Sequence, residues 1–211
     1  MLYLVLRLFA VLLCSILFRI HVTGRENIPK QKGILLISNH ASYLDPVILG
    51  VASLRPLYFF ARANLFQNPV FGWLIRSLHA FPVHIERLDK DAIERAIKEL
   101  TEGKVVVVFP EGTRSRGGEL RAGQAGAGFL AVKAKVPVLP VYLRGVYDAF
   151  PPGAKMIRPK KISVHFGKVL FFEPPLPEEV PLRREGRRQA YYQKIADRMM
   201  EAIQEIKDLT E

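Results

Sequence analysis

Lys104-Val105-Val106-Val107-Val108-Phe109 runs without a break into Pro110-Glu111-Gly112-Thr113-Arg114-Ser115, and this stretch governs how its neighbours are read. Four consecutive valines form a strand that is apolar on both faces, which places it mid-sheet with helices on either side. The polar, glycine-containing turn leaves the carboxyl end of that strand, where open α/β sheets bind ligands. Just upstream, Asp89–Glu102 carries Ile93, Ile97 and Leu100 on one helical face and stops at Gly103. Downstream, Gln124–Lys135 is a Gly/Ala-rich helix and Val136–Leu143 a further strand.

The same alternation continues outward. Gly33–Ser38 reads as a buried strand, and a helix runs from Pro46 to Leu54 with Asp45 as its N-cap. Leu57–Ala61 is a short strand. Val70, Phe71, Leu74, Ile75 and Leu78 mark one face of a helix from Pro69 to Phe81. Ile162, Val164 and Phe166 alternate with Ser163, His165 and Gly167, the pattern of a half-exposed edge strand. Proline-rich residues 174–181 lead into a long charged C-terminal helix. The predicted fold class is α/β, with a mainly parallel central sheet flanked by helices.

The 211 residues suffice for one sizeable core, and 31 Lys+Arg against 20 Asp+Glu leave a net charge of +11. That excess points to a polyanionic neighbour, either nucleic acid or an anionic membrane. The N-terminus favours membrane. Arg7 and Arg19 bracket an uninterrupted apolar run from Leu8 to Phe18. As a helix the run is roughly 16 Å long, about half of a ~30 Å hydrocarbon core. It spans only if both arginines snorkel to opposite headgroup layers, and otherwise lies in one leaflet. A signal peptide and a buried first helix are the competing readings, the former without a small-x-small cleavage site. The division expected is a membrane-anchoring segment over residues 1–20 and a catalytic domain over residues 21–211. Cys14, the single cysteine, cannot form an intrachain disulfide, so nothing calls for an oxidising compartment.

Two segments carry chemistry. Asn39-His40-Ala41-Ser42-Tyr43-Leu44-Asp45 pairs a histidine, suited to general-base work near neutral pH, with an aspartate able to fix its tautomer. On a straight helix residues five apart point about 140° from each other, so the two meet only if the chain turns between them. The strand-to-helix junction supplies that turn. An ordinary loop histidine followed by an ordinary helix start is the plain alternative. In the second segment Arg114 offers a planar fork for phosphate oxygens and Gly112 permits close backbone approach. Lys104, Arg116 and Arg121 add positive charge. The five histidines show no metal-ligand spacing, and no Gly-x-Ser-x-Gly elbow exists, although Ser38 and Ser42 flank His40.

Taken together, the two segments resemble the glycerolipid acyltransferase family. Its four blocks occur in order: Asn-His-x4-Asp at Asn39–Asp45, a basic block starting near Arg62, Phe-Pro-Glu-Gly-Thr-Arg-Ser at Phe109–Ser115, and Val-Pro-Val-x-Pro-Val at Val136–Val141. The resemblance covers roughly residues 20 to 170. It implies His40 as general base and Asp45 as its orienting partner. It also implies an acceptor site drawn from Arg62, Arg87, Glu111, Gly112, Thr113 and Arg114, with Pro137 and Pro140 shaping an acyl-chain wall. Two departures stand out. Arg62-Ala63-Asn64-Leu65 replaces the Lys-x-Glu-Leu of many bacterial members, and the arginine expected after Phe81-Pro82-Val83 is displaced to Arg87, with His84 as a rival.

The reaction implied moves an acyl chain from acyl-CoA or acyl carrier protein to the sn-2 hydroxyl of lysophosphatidic acid, without a cofactor or metal. Partners would be membrane phospholipid and these substrates, not nucleic acid, at the cytoplasmic face of the inner or plasma membrane. Another lyso-lipid or glycerol 3-phosphate is the alternative acceptor, and a non-catalytic basic membrane-surface protein the alternative class.

Overall fold

The computed structural model describes residues 2–84, 89–173 and 185–211. Seven strands form one sheet in the order β1-β7-β6-β2-β5-β3-β4. They are β1 (Arg19–Thr23), β2 (Ile34–Ser38), β3 (Leu57–Arg62), β4 (Ala80–Val83), β5 (Val105–Val108), β6 (Val138–Arg144) and β7 (Lys161–Phe166). Every neighbouring pair is parallel except β6 with β7. The architecture is therefore the α/β class expected, with a mostly parallel sheet.

The all-valine β5 lies between β2 and β3. Its alternate side chains enter two separate cores, as a strand covered on both faces requires. Leu36, Val105, Val107 and Leu139 point to one face with Ile48 and Leu49 of α2 (Asp45–Ala52) and Cys14 of α1 (Leu2–Leu17). Leu35, Ile37 and Val106 point to the other. There they meet Leu100 of α4 (Lys90–Thr101), Leu130 of α5 (Ala125–Ala134) and Ile203 of α7 (Glu185–Thr210). The remaining helices are α3 (Pro69–Ser77) and α6 (Val146–Ala149).

Three expectations need correction. β7 is not an edge strand: β1 pairs along its outer side, with Ile20 opposite Ile162 and Val22 opposite Val164. Alternating polarity reported one covered face correctly but could not reveal a neighbour, and β1 itself reads Arg-Ile-His-Val-Thr, a weak signal beside the apolar run before it. The helix expected to reach Phe81 ends at Ser77, and His79 at φ 62° turns the chain into β4. Asp45 is the first residue of α2 rather than its N-cap, which is Leu44. Its carboxylate turns back to bind N–H groups of the preceding loop. The proline-rich segment 174–181 lies outside the described residues.

α1 is half docked. Tyr3, Leu6, Arg7, Ala10, Cys14 and Leu17 form the inner stripe, while Leu4, Leu8, Leu12 and Ile16 are exposed. Arg7 does not snorkel; its guanidinium donates to the carbonyls of Gly50 and Ser53 at the C-terminal end of α2, where a helix dipole favours a cation. Among the described residues no helix is long and apolar enough to cross a membrane.

Candidate active site

β2 delivers its last residues to the carboxyl edge of the sheet, and the side chain of Asn39 prolongs the ladder that the backbone abandons there. Its Nδ2 donates to the Leu143 carbonyl (3.0 Å), and the Leu143 N–H donates to its Oδ1 (2.8 Å). Asparagine can do both at once, which aspartate cannot. The next residue, His40, is thereby fixed at the mouth of the edge. No local pattern around Asn39 signals this task, because Leu143 is distant in sequence.

The loop from Ala41 to Leu44 closes the distance that a helix would have opened. Asp45 Oδ2 accepts from His40 Nδ1 (2.7 Å), Ala41 N (2.7 Å) and Ser42 N (2.8 Å), and Asp45 is completely buried. With Nδ1 donating, Nε2 is the basic nitrogen. Among the described residues it has no partner, and it is not one of the buried unpaired atoms, so it reaches solvent. The His40 ring lies against Phe109, centroids 4.0 Å apart and planes 15° apart, which sets its orientation. Ser42 is turned away from any nucleophilic role: its Oγ donates to Phe150 O at 2.6 Å and accepts from Leu44 N. Ser38 is buried and bonded to Asn39.

The second segment is tied to the first through the backbone. His40 N–H donates to Glu111 Oε1 (3.1 Å) and Ser115 N–H donates to the His40 carbonyl (2.8 Å). Glu111 is buried beneath His40, with Oε1 accepting from its N–H and Oε2 without a hydrogen-bond partner among the described residues. Burial pushes its carboxyl up to about 7; the bond from His40 N–H and the charge of Arg121 oppose that rise, while the charges of Asp45 and Glu119 add to it. Gly112 takes φ 71° to reverse the chain, with its N–H donating to Phe109 O. Thr113 Oγ1 accepts from Arg121 Nη1 (2.7 Å).

Arg114 is the cation among the site's unpaired buried side chains, which among the described residues also include Asp45 Oδ1, Glu111 Oε2 and Ser115 Oγ. Its guanidinium sits 3.4 Å from the ring centroid of Tyr43, a cation–π contact between segments far apart in the chain. Its Nη1 is buried without a hydrogen-bond partner among the described residues. A buried guanidinium N–H is costly to leave unpaired, so the position favours a hydrogen-bond acceptor.

Arg62 ends β3 and is exposed. Extending the Leu36–Val107–Phe59 register row three residues forward puts Asn39, Pro110 and Arg62 at one level. Arg62 thus borders the same edge two strands from β2, about 10 Å away, without a hydrogen bond to the His40 group. Arg87 lies outside the described residues. Lys104 belongs at the opposite end of β5, where it pairs with Glu99 and Glu102 (2.7 Å each). It contributes nothing to the charge around His40. Pro140 is buried within β6, its carbonyl bonded to Gly167 N, and Pro137 lies beyond the far end of that strand. Neither lies beside His40.

A His–Asp pair on the carboxyl edge of a mostly parallel sheet, bonded through its backbone to the segment that carries Arg114, can take a proton from a bound group close to a cation. A family model described as Acyltransferase matches residues 19–144, and the chain belongs to that family. It is similar to 1-acyl-sn-glycerol-3-phosphate acyltransferase of Bacillus subtilis strain 168, 31% identical over 72% of this chain and 73% of the relative. A lyso-ornithine lipid O-acyltransferase of Pseudomonas aeruginosa is 31% identical over 75% of this chain and 60% of its own length. Several other relatives are matched over about half their length or less. The crystal structure of the 1-acyl-sn-glycerophosphate acyltransferase PlsC from Thermotoga maritima superposes with a TM-score of 0.71 at 26% identity, over 99% of this chain and 80% of that one.

Proposed function

We propose that this protein transfers an acyl chain from an acyl thioester to the sn-2 hydroxyl of 1-acylglycerol 3-phosphate, giving phosphatidic acid. The observation that carries the reading is His40, its Nδ1 held by Asp45 and its carbonyl bonded to Ser115 N–H, the residue after Arg114 with its unpaired Nη1. The names of the relatives agree with it. As the acceptor oxygen attacks the thioester carbonyl carbon, His40 Nε2 takes its proton. The C–S bond then breaks, and the departing thiolate collects that proton from the imidazolium. Asp45 holds Nδ1–H throughout and stabilises the transient positive charge. No acyl-enzyme is needed, because the thioester is already activated; Ser38 and Ser42, which flank His40 in the sequence, have their hydroxyls engaged elsewhere. Arg114 receives the acceptor phosphate on N–H groups that Tyr43 leaves uncovered.

In this reading α1 lies in one leaflet. Its exposed Leu8 and Ile16 (69% and 73% accessible) would sit in the acyl region, while the inner stripe grips the catalytic body.

The test compares lysophosphatidic acid with an analogue bearing a neutral group in place of phosphate. Arg114→Ala should lower kcat/KM on the first by about ten- to a hundredfold and barely change the second, and Arg114→Lys should recover only part. An equal proportional loss on both acceptors would move Arg114 to the donor or the fold. A second reading, a different lyso-lipid acceptor, is favoured by the equal identity to the lyso-ornithine lipid enzyme. It predicts the better kcat/KM on that lipid in the same assay.

A further inference from the structure

Between α6 and β7 the chain makes an exposed excursion, Ala154-Lys155-Met156-Ile157-Arg158-Pro159-Lys160, that the site chemistry does not use. Met156 is 77% accessible and Ile157 40%, with no packing duty to explain them. Lys155, Arg158, Lys160 and Lys161 surround them, and no acidic residue occurs between Asp148 and Glu173. The excursion is held in shape. Pro151 and Pro152 precede a turn in which Ala154 N–H donates to Pro151 O (3.0 Å), Gly153 takes φ 86°, and Arg158 N–H donates to Ala149 O (2.8 Å).

Its two ends fix where it lies. Phe150 O accepts from Ser42 Oγ, within the loop that carries His40. Lys160 O accepts from Arg19 N, two residues past the end of α1 (3.3 Å). Because β7 runs antiparallel to β6, its first residue stands at the same sheet edge as His40. The excursion therefore bridges the end of α1 and the mouth of the site.

We propose that residues 154–160 are a second membrane contact, in which Met156 and Ile157 enter the interface of an anionic leaflet and the flanking cations engage lipid phosphates. Apolar residues ringed by cations match the two layers they would meet, acyl chain and charged headgroup. A pre-shaped loop also loses little conformational entropy on insertion. α1 alone would secure one flank of the mouth. With the excursion on the adjoining flank, His40 Nε2 is kept at headgroup depth, where the hydroxyl of a bilayer lipid is found. The inference rests on the acceptor being such a lipid, but binding can be measured without turnover.

The experiment uses the full chain and phosphatidylcholine vesicles with and without phosphatidylglycerol. Met156→Ser/Ile157→Ser should weaken sedimentation with anionic vesicles by about tenfold. Lys155→Gln/Arg158→Gln/Lys160→Gln should weaken it by about fivefold per cation, only when phosphatidylglycerol is present, and the loss should shrink as salt rises. An environment-sensitive dye at Met156→Cys, with Cys14 buried, should shift to the blue on anionic vesicles. Unchanged partitioning in both variants, or a dye that stays aqueous, overturns the proposal. So does unchanged partitioning with a raised KM for acyl carrier protein, which would make the excursion a protein-docking loop. Failure of the acyl-transfer reading would show instead as absent turnover with vesicle binding intact.

Discussion

At the residue scale the site is built on two carboxylates that behave differently. Asp45 puts three N–H groups on a single oxygen at the first turn of α2, where the helix dipole also favours negative charge. Asp45→Asn keeps the shape and loses the charge that orients Nδ1–H. It should lower kcat by on the order of a hundredfold or more, with an unfolding midpoint close to wild type. His40→Ala should be the more severe of the two, and near-normal thiol release by that variant would sink the mechanism. Glu111 is the opposite case, a buried acid whose carboxyl stands at about 7 when folded. Its ordinary value is lower, so between the two the folded state binds more protons than the unfolded. The contribution is fully present at acid pH and is lost as pH rises through about 7. Glu111→Gln, which still accepts from His40 N–H, should remove that slope. Relative to wild type it should gain up to about 3 kcal/mol in denaturant titrations as pH rises from about 5 to about 8.

At the element scale Gly112 shows how one turn serves two ends. Its φ of 71° is unfavourable for residues with a Cβ, and an added Cβ would stand 3.3 Å from Gln124 Cγ. Gly112→Ala should cost about 1–2 kcal/mol, read as a lower denaturation midpoint, and should raise KM for the acceptor because Glu111 and Arg114 flank the turn. This glycine, like the His40–Asp45 pairing, was legible because a strand-to-turn junction dictates it. So were β5, α4 and α5, whose period and burial agree. What escaped notice depends on partners distant in sequence. β1 is five residues alternating between exposed and half-buried, made a strand by Lys161–Phe166. β4 contains a proline and forms only along β3. Lys104 looked like part of the site because chain proximity to Glu111 hides that β5 carries the two to opposite sheet ends. The contacts of Arg114 with Tyr43 and of Asn39 with Leu143 bring together segments that no local pattern relates.

At the scale of the whole molecule, α1 cannot be treated as a detachable anchor, and that decides how its membrane role is tested. Cys14 and Phe18 are buried in the same core as Ile48 and Leu49, and β1 begins at Arg19. Removing residues 1–20 would therefore strip core side chains together with any lipid contact, and a loss of activity would be ambiguous. The helix itself separates the two roles by face. At 16 residues it is about 24 Å long, short of a ~30 Å hydrocarbon core, which agrees with the proposed placement along one leaflet. Leu8→Ser/Leu12→Ser/Ile16→Ser changes only the exposed face and leaves Arg7, Cys14 and Phe18 in place. It should lower partitioning onto vesicles by on the order of a thousandfold, move the protein from the membrane pellet to the supernatant, and keep the unfolding midpoint. Activity should fall on bilayer-embedded acceptor and persist on a short-chain soluble one, because His40, Asp45 and Arg114 are untouched. If this variant still pellets with membranes at high salt, the apolar surface that holds it lies elsewhere. The next place to substitute is α3, where Val70 and Trp73 are 74% and 55% accessible and where the stack of Tyr3 on His79 brings the first turn of α1 alongside.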